Sequence, residues 1–421
     1  MDTSALGAGI ALAATLLAFS AHAQQPPPGA LNVRDFGAVG DGETDDTAAF
    51  QKAFAAAADA GGGIVHAPRG DYMIRGTLEV PGNVVLEGVW RAPTARTQNQ
   101  GTTLLAVAGA GEPDGRPFLT LRANSTLHGL TIFYPEQKFA NPPVAYPWTV
   151  RGIGDNCSLV DVLMVNPYQA VDFGTHTAGR HYIRGLYAQP LYRGLFIDQC
   201  YDVGRVQDVH FWPFWGTGGG IREFMGEQGI AFVIGRTDWQ YMVNCFSIFY
   251  SIGFHFVNNG HGGGNVLLTQ CGADVGPVAV RVDEVQAHSG IAFVNSQQMA
   301  GVEIGPDNAG PVKFTNCGFW PVGTTESHIV NQGRGTVTLN ACHFTGWDQQ
   351  GEGAPCIDAR AGRLTVTGCE FLEGGKLQIR LGPDVEGAVI TGNQVRGPLL
   401  IQDNSDGKAQ IGLNAAEEEA R

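Results

Sequence analysis

Read for its hydrophobic and polar positions, the chain repeats itself. An apolar residue, two small or amide residues and then a cysteine recur in KFTNCGFW (Lys313 to Trp320), YMVNCFSI, LLTQCGAD, TLNACHFT and TVTGCEFL. Aligned on that last position, Leu130, Val162, Leu186, Val209, Cys245, Cys271, Ser296, Cys317, Cys342, Cys369 and Asn393 form one column, at spacings of 21 to 36 residues. Three residues earlier stand Leu127, Leu159, Ile183, Val206, Met242, Leu268, Phe293, Phe314, Leu339, Val366 and Ile390, every one apolar. A period of about 24 residues with strand-like content predicts a solenoid of short stacked strands. The amides before the column (Asn244, Gln270, Asn295, Asn316) suit a turn that bonds from coil to coil, and the cysteines suit small apolar fillers of the interior. Disulfides between adjacent coils, Cys245 to Cys271 or Cys342 to Cys369, are the competing reading.

A second strand lies later in each coil: AVDFG, GLFID, GIAFV, GFHFV, AVRVD and GVEIG. Alternation turns every second residue outward, and the outward column reads Asp172, Phe196, Ala231, His255, Arg281 and Glu303, with Val330 next. An ionisable row on one face of a solenoid is a place for chemistry.

Composition narrows the partners. There are 60 glycines and 22 prolines, only 16% charged residues, and a formal net charge of −14. Nucleic-acid binders are usually basic, so that class is excluded, and a polyanionic substrate is disfavoured unless a local basic patch receives it. The apolar run Ala5 to Phe19 followed by Ala21-His22-Ala23 reads as a secretory signal over residues 1–23, although Met1 to Ser4 carries no Lys or Arg. A proline-rich linker (24–30), a solenoid domain (31–405) and a charged tail (406–421) follow. We expect a secreted or periplasmic protein with no membrane span, monomeric or homotrimeric.

The stretch from Val33 to Asp46, VRDFGAVGDGETDD, is followed by a helix-favouring run, Gly61-Gly62-Gly63, Pro68 and Gly70-Asp71-Tyr72. It resembles the opening of the rhamnogalacturonase/epimerase-like, polygalacturonase-related group of the pectate-lyase superfamily. The resemblance implies an all-β, right-handed parallel β-helix acting on carbohydrate. We expect about 10–12 coils with an N-terminal capping helix. Asp45 or Asp46 would cap that helix, with Phe50 and Phe54 one turn apart on it, so these aspartates read as turn and cap residues. The resemblance brings no catalytic set. Gly260-His261-Gly262 supplies the G-H-G of polygalacturonases, 23 residues after Asp238, but their N-T-D, D-D and R-I-K elements are missing, and a chance G-H-G competes. The D-P-H-E element of alginate epimerases is also absent.

The two longest steps hold insertions, Phe133 to Gly152 and Phe211 to Gly229. Both are rich in aromatic residues: Tyr134, Tyr146, Trp148, Trp212 and Trp215. Rigid aromatic faces suit the C–H faces of sugars, although some must fill the base of the loops. We expect the groove over the coils from Asp172 to Glu303, walled by these loops. Glycoside hydrolysis needs two carboxyl groups. Asp172 and Asp198, about 8 Å apart by one coil and two residues, are the first candidates. Asp238, Glu223 and Glu227 are further carboxylates for such a pair, against a turn or surface role for each. Asp161 and Asp208 read as turn residues. Polysaccharide lysis is the alternative, with His255 as base, Arg281 as neutralising cation, Asp283 and Glu303 able to recruit Ca²⁺, and His176, Arg180 and His181 nearby. His255 also reads as a histidine that only hydrogen-bonds across coils, and His261 stands as a substrate-binding candidate. A hydrolase requires no cofactor, and no Cys/His spacing suggests a metal site. The third reading is a non-catalytic glycan-binding β-helix.

Overall fold

From the coil of Leu127 onward, each coil turns at a residue whose backbone is left-handed. The computed structural model describes residues 29–89 and 100–416. The proposed signal and most of the linker lie outside them. The residue before each cysteine-column position has positive φ: Gly129, Asp161, Gly185, Asp208, Asn244, Gln270, Asn295, Asn316, Ala341, Gly368, Gly392 and Leu413. Gly, Asn and Asp tolerate that conformation, which explains the amides. Two neighbours also bond along the axis: Asn244 Nδ2 donates to Asp208 Oδ1 (2.7 Å), and Asn316 Nδ2 donates to Asn295 Oδ1 (2.8 Å). The column therefore marks a tight turn first and a partial amide ladder second.

The fold is an all-β, right-handed parallel solenoid of about 14 turns. Three parallel ladders run its length. The first carries the apolar column in continuous register from Leu127 and Leu159 to Val366, Ile390 and Ile411. The second follows the left-handed turn, and the third carries the outward column. The expected 10–12 coils undercount because the register continues upstream: Leu31 pairs with Val65, Val65 with Leu86, and Leu86 with Leu127. Those coils have no cysteine column to reveal them. Downstream, Ala409–Gly412 pairs with Ala388–Thr391, so residues read as a tail add a strand.

Helix α1 (Thr47–Asp59) buries Phe50, Ala53, Phe54 and Ala57 against the first strands. Asp46 precedes it, but its carboxylate accepts from Val39 and Gly40 rather than from the helix. Asp45 Oδ1 accepts from Thr47 N at 3.0 Å. These aspartates tie the turn to the helix start.

The interior is a set of stacks. Phe319, Phe344 and Phe371 follow one another at 4.8 and 5.0 Å, and Phe232 stacks on Phe254 at 4.6 Å. All eight cysteines are free and buried. Seven of the thiols meet backbone carbonyls, as Cys317 Sγ meets Phe293 O at 3.5 Å. Tyr134 and Tyr146 belong to this interior, so they offer no platform to a ligand.

Two buried histidines make stability depend on pH. Burial pushes the pKa of His181 and of His328 down to about 4. Each is neutral when folded, so the unfolded chain binds more protons below its ordinary value of about 6.5. Stability present above that value is therefore lost as pH falls toward 4, on the order of 3 kcal/mol for each residue. Thermal unfolding across this range should show a falling midpoint, reduced in His181→Asn; an unchanged midpoint contradicts the assignment. Replacing Ala341 by Gly removes a side chain from a left-handed position (φ 51°) and should raise stability by about 0.5–1 kcal/mol. A lower unfolding midpoint for Ala341→Gly would contradict this account of the turn.

Candidate functional site

The third ladder presents the ionisable row. Its register runs Arg151, Asp172, Phe196, Val233, His255, Arg281, Glu303, Val330, Asp358 and Arg380. Val233, not Ala231, fills its coil, because the insertion ahead of that strand shifts the apparent centre by two residues. The row does not fade after Glu303 but resumes at Asp358 and Arg380.

The first hydrolytic pair is not available for acid–base work. Asp172 is fully buried; Gly174 N and Thr175 N donate to Oδ1 at 3.0 and 2.8 Å, and Arg151 Nε donates to Oδ2 at 2.5 Å. Asp198 is 1% exposed; Gln199 N and Arg236 N donate to Oδ1 at 2.9 and 2.6 Å, and His261 Nδ1 donates to Oδ2 at 2.9 Å. The oxygens of both carboxylates are spent inside the protein. Asp172 anchors a turn, and Asp198 orients His261, whose Nε2 is then the unprotonated nitrogen when the ring is neutral. Asp238 is ion-paired to Arg236. Glu223 and Glu227 stand exposed on α2 (Ile221–Gln228), a helix folded within the second insertion, and join no carboxylate pair.

The next coils hold a different arrangement. His255 Nε2 donates to Asp283 Oδ2 at 2.6 Å, and Arg281 Nε donates to Asp283 Oδ1 at 3.0 Å. Burial keeps His255 below the usual imidazole pKa despite the carboxylate beside it. Burial alone would raise Asp283, but the hydrogen bonds from Arg281 and His255 hold it below the usual range. Glu303 is exposed beside Arg281 and makes no direct bond among the described residues. A cavity of about 620 Å³ opens here, lined by Arg281, Asp283, Glu303, Asp307, Gln332 and Arg360. Arg360 is fixed by the buried Asp358 (2.8 Å). Asp307, Gln332 and Arg360 escaped the sequence reading; following the outward column past Val330 would have found Asp358 and so Arg360.

The insertions do meet. Phe139 of the first stacks on Trp215 of the second at 4.0 Å and 10°. Gly219 has positive φ and lies so close to the Phe139 carbonyl that a side chain there would collide with it. Trp215 is thereby committed to the clasp. Trp212 packs on His210 (4.6 Å) and Phe214 (4.5 Å). Trp148 is half-buried on the third ladder, stacked toward Phe196, in line with the groove.

Two of the residues expected to assist a lyase from beyond the Asp172 strand are engaged elsewhere. His181 is fully buried with Nδ1 on Ala178 O (2.8 Å), and Arg180 is paired with Asp155 and Asp202 on the surface. Among the described residues no group of three or more His, Cys, Asp or Glu could hold a metal ion, and no helix is long and apolar enough to cross a membrane.

Residues 30–125 match the family described as rhamnogalacturonase A/epimerase, pectate lyase-like. Mannuronan C5-epimerase AlgE3 of Azotobacter vinelandii is 43% identical over 80 residues, 17% of this chain and 4% of its own. Alginate lyase 7 of the same organism is 46% identical over 70 residues, 15% of this chain and 8% of its own. The match thus spans under a tenth of either relative. Among solved structures, the A-module of the A. vinelandii epimerase AlgE6 superimposes with a TM-score of 0.57 at 15% identity, covering 92% of this chain and 99% of its own. The catalytic unit of a GH87 α-1,3-glucanase from Streptomyces thermodiastaticus gives 0.52 at 15% identity, covering 94% and 69%. At such identities these likenesses show the fold. The chain has a right-handed parallel β-helix fold, and its residues 30–125 resemble the rhamnogalacturonase A/epimerase, pectate lyase-like family.

Proposed function

We propose that the chain is an exported enzyme that hydrolyses a glycan laid along the third ladder, with Asp283 and Glu303 as its carboxylate pair. The observation that carries this reading is their placement. They stand one coil and two residues apart on the wall of one cavity, in unlike surroundings. Asp283 is held as an anion by Arg281 and His255, which suits the base. Glu303 makes no direct bond among the described residues and stands exposed at the cavity, so its carboxyl group is open to a glycosidic oxygen, the place of the acid. The backbone offset is about 8 Å, which leaves room for a water between the side chains, as inversion requires. Arg281 and Arg360 donate to sugar hydroxyls, and Trp148 offers an aromatic face further along the row. A carbohydrate substrate agrees with the activities named for the epimerase, lyase and glucanase relatives. Their reaction types are not carried over, because the family match ends at residue 125, before any of these side chains. The secreted or periplasmic location rests on residues 1–23.

A second reading has its own observation. A neutral His255 beside Arg281 is poised to remove the proton next to a uronate carboxylate, giving β-elimination instead.

Reducing-sugar release from a polysaccharide panel tests the first reading. Asp283→Asn and Glu303→Gln should each lose at least about 10²-fold in kcat, with unfolding midpoints unchanged. Full activity in either variant removes the pair. An unsaturated product, detected by its ultraviolet absorbance and lost in His255→Gln, would favour elimination.

A further inference from the structure

The first ladder carries an aromatic patch on its outward face. Tyr201, Trp239 and Tyr241 are 52, 49 and 38% exposed. The described residues hold one more aromatic ring so exposed, Phe139, and it is engaged in the clasp with Trp215. Trp239 and Tyr241 stand two residues apart on one strand, about 6.6 Å. Tyr241 is in register with Arg205 on one side and with Leu267, itself exposed, on the other. Tyr201 joins them through an irregularity. Cys200 pairs with Thr237 and Val203 with Trp239, so one extra residue is fitted between the two pairs. Such a bulge breaks the alternation of the strand and leaves Tyr201 and Asp202 both exposed.

Among the described residues none of the three rings packs on another ring or under a cation, and Trp239 Nε1, Tyr201 Oη and Tyr241 Oη make no hydrogen bond. Flat faces and polar tips are thus both open, which suits a sugar ring with an apolar C–H face and a rim of hydroxyls. The charges around the patch cancel. Arg180 pairs with Asp155 and Asp202, Arg236 pairs with Asp238, and Arg205 adds its charge near Asp202. The patch therefore favours a neutral ligand over an anionic or cationic one. It is also too small for a second copy of this chain. Three half-exposed aromatic side chains offer about 300 Å², whereas a stable protein interface covers about 800 Å² on each partner. The apolar column does not extend it, because Leu267 is followed by Ala292 and then Lys313.

We propose that this patch is a second, non-catalytic glycan site, which holds the protein on a neutral polysaccharide by stacking sugar rings on Tyr201, Trp239 and Tyr241. The coils that carry it also carry His255 and Arg281, so patch and cavity sit on different sides of one stretch of the solenoid. A rigid sheet fixes the spacing of the rings, and an exposed apolar patch on such a sheet marks a binding surface. The inference does not depend on which reaction the cavity performs.

Depletion of the full-length protein from solution over microcrystalline cellulose, insoluble xylan and insoluble mannan tests it. At least one of the three should retain the protein, and Trp239→Ala/Tyr241→Ala should weaken that retention at least about tenfold, with an unchanged unfolding midpoint. Trp239→Phe/Tyr241→Phe keeps the ring faces and should hold most of the retention. Tyr201→Ala, which alters the bulge alone, should weaken it as well and serves if the double alanine variant unfolds. No retention on any of the three, equal retention by the alanine variants, or a loss as large in the phenylalanine variant overturns the proposal. So does a self-association of the protein, seen in sedimentation, that the alanine variants abolish, since it would give the face to a second copy. Failure of the carboxylate pair registers separately, as absent sugar release with retention intact.

Discussion

One left-handed residue per coil, from Gly129 onward, holds this molecule in register. Most L-residues resist positive φ at a cost of roughly 1–2 kcal/mol, so the position is filled mainly by Gly, Asn, Asp and Gln. Because the bend falls at the same place in each of these coils, the residue two before it is apolar, and the next is a thiol or aliphatic group except at Ser296, Asn393 and Asn414. Stacking then follows from geometry, since each coil satisfies the backbone of the one before it. A solenoid built this way cannot bury its apolar face with one coil. Its stability is spread over neighbours, and an insertion is tolerated wherever it leaves the turn intact.

That tolerance explains where the site lies. Both insertions enter between the second and third ladders, and both leave the left-handed turn untouched. They close on each other through Phe139 and Trp215 instead of standing as separate walls. The third ladder keeps its outward row of charged groups, spaced by about 4.8 Å from coil to coil. Residues far apart in sequence, such as Arg193 and Glu303, thus share one face. The same regularity buries Asp172 and Asp198, because a carboxylate at a coil corner is where free backbone N–H groups collect.

The sequence carried the repeat, the apolar column from Leu127 to Ile390 and the free thiols, because each follows from local stereochemistry that recurs. It did not carry the first coils, whose turns lack the cysteine, nor the Val233 register, which the insertion displaced. It also misassigned side chains whose fate depends on contacts remote in sequence. Asp172 looked outward by alternation, yet Arg151 and two backbone amides bury its charge. Tyr134 and Tyr146 looked like sugar platforms and are core. His255 and Arg281 were visible as neighbours in the outward row, but the role of Asp283 in joining them was not.

A crystal structure of the Asp283→Asn/Glu303→Gln protein with a bound oligosaccharide tests the central claim directly. The glycan should follow the outward row from Trp148 past Arg193 and His255 to Arg281, with a glycosidic oxygen between residues 283 and 303. Sugar density on the first-ladder face instead, beside the exposed Tyr201, Trp239 and Tyr241, would contradict it.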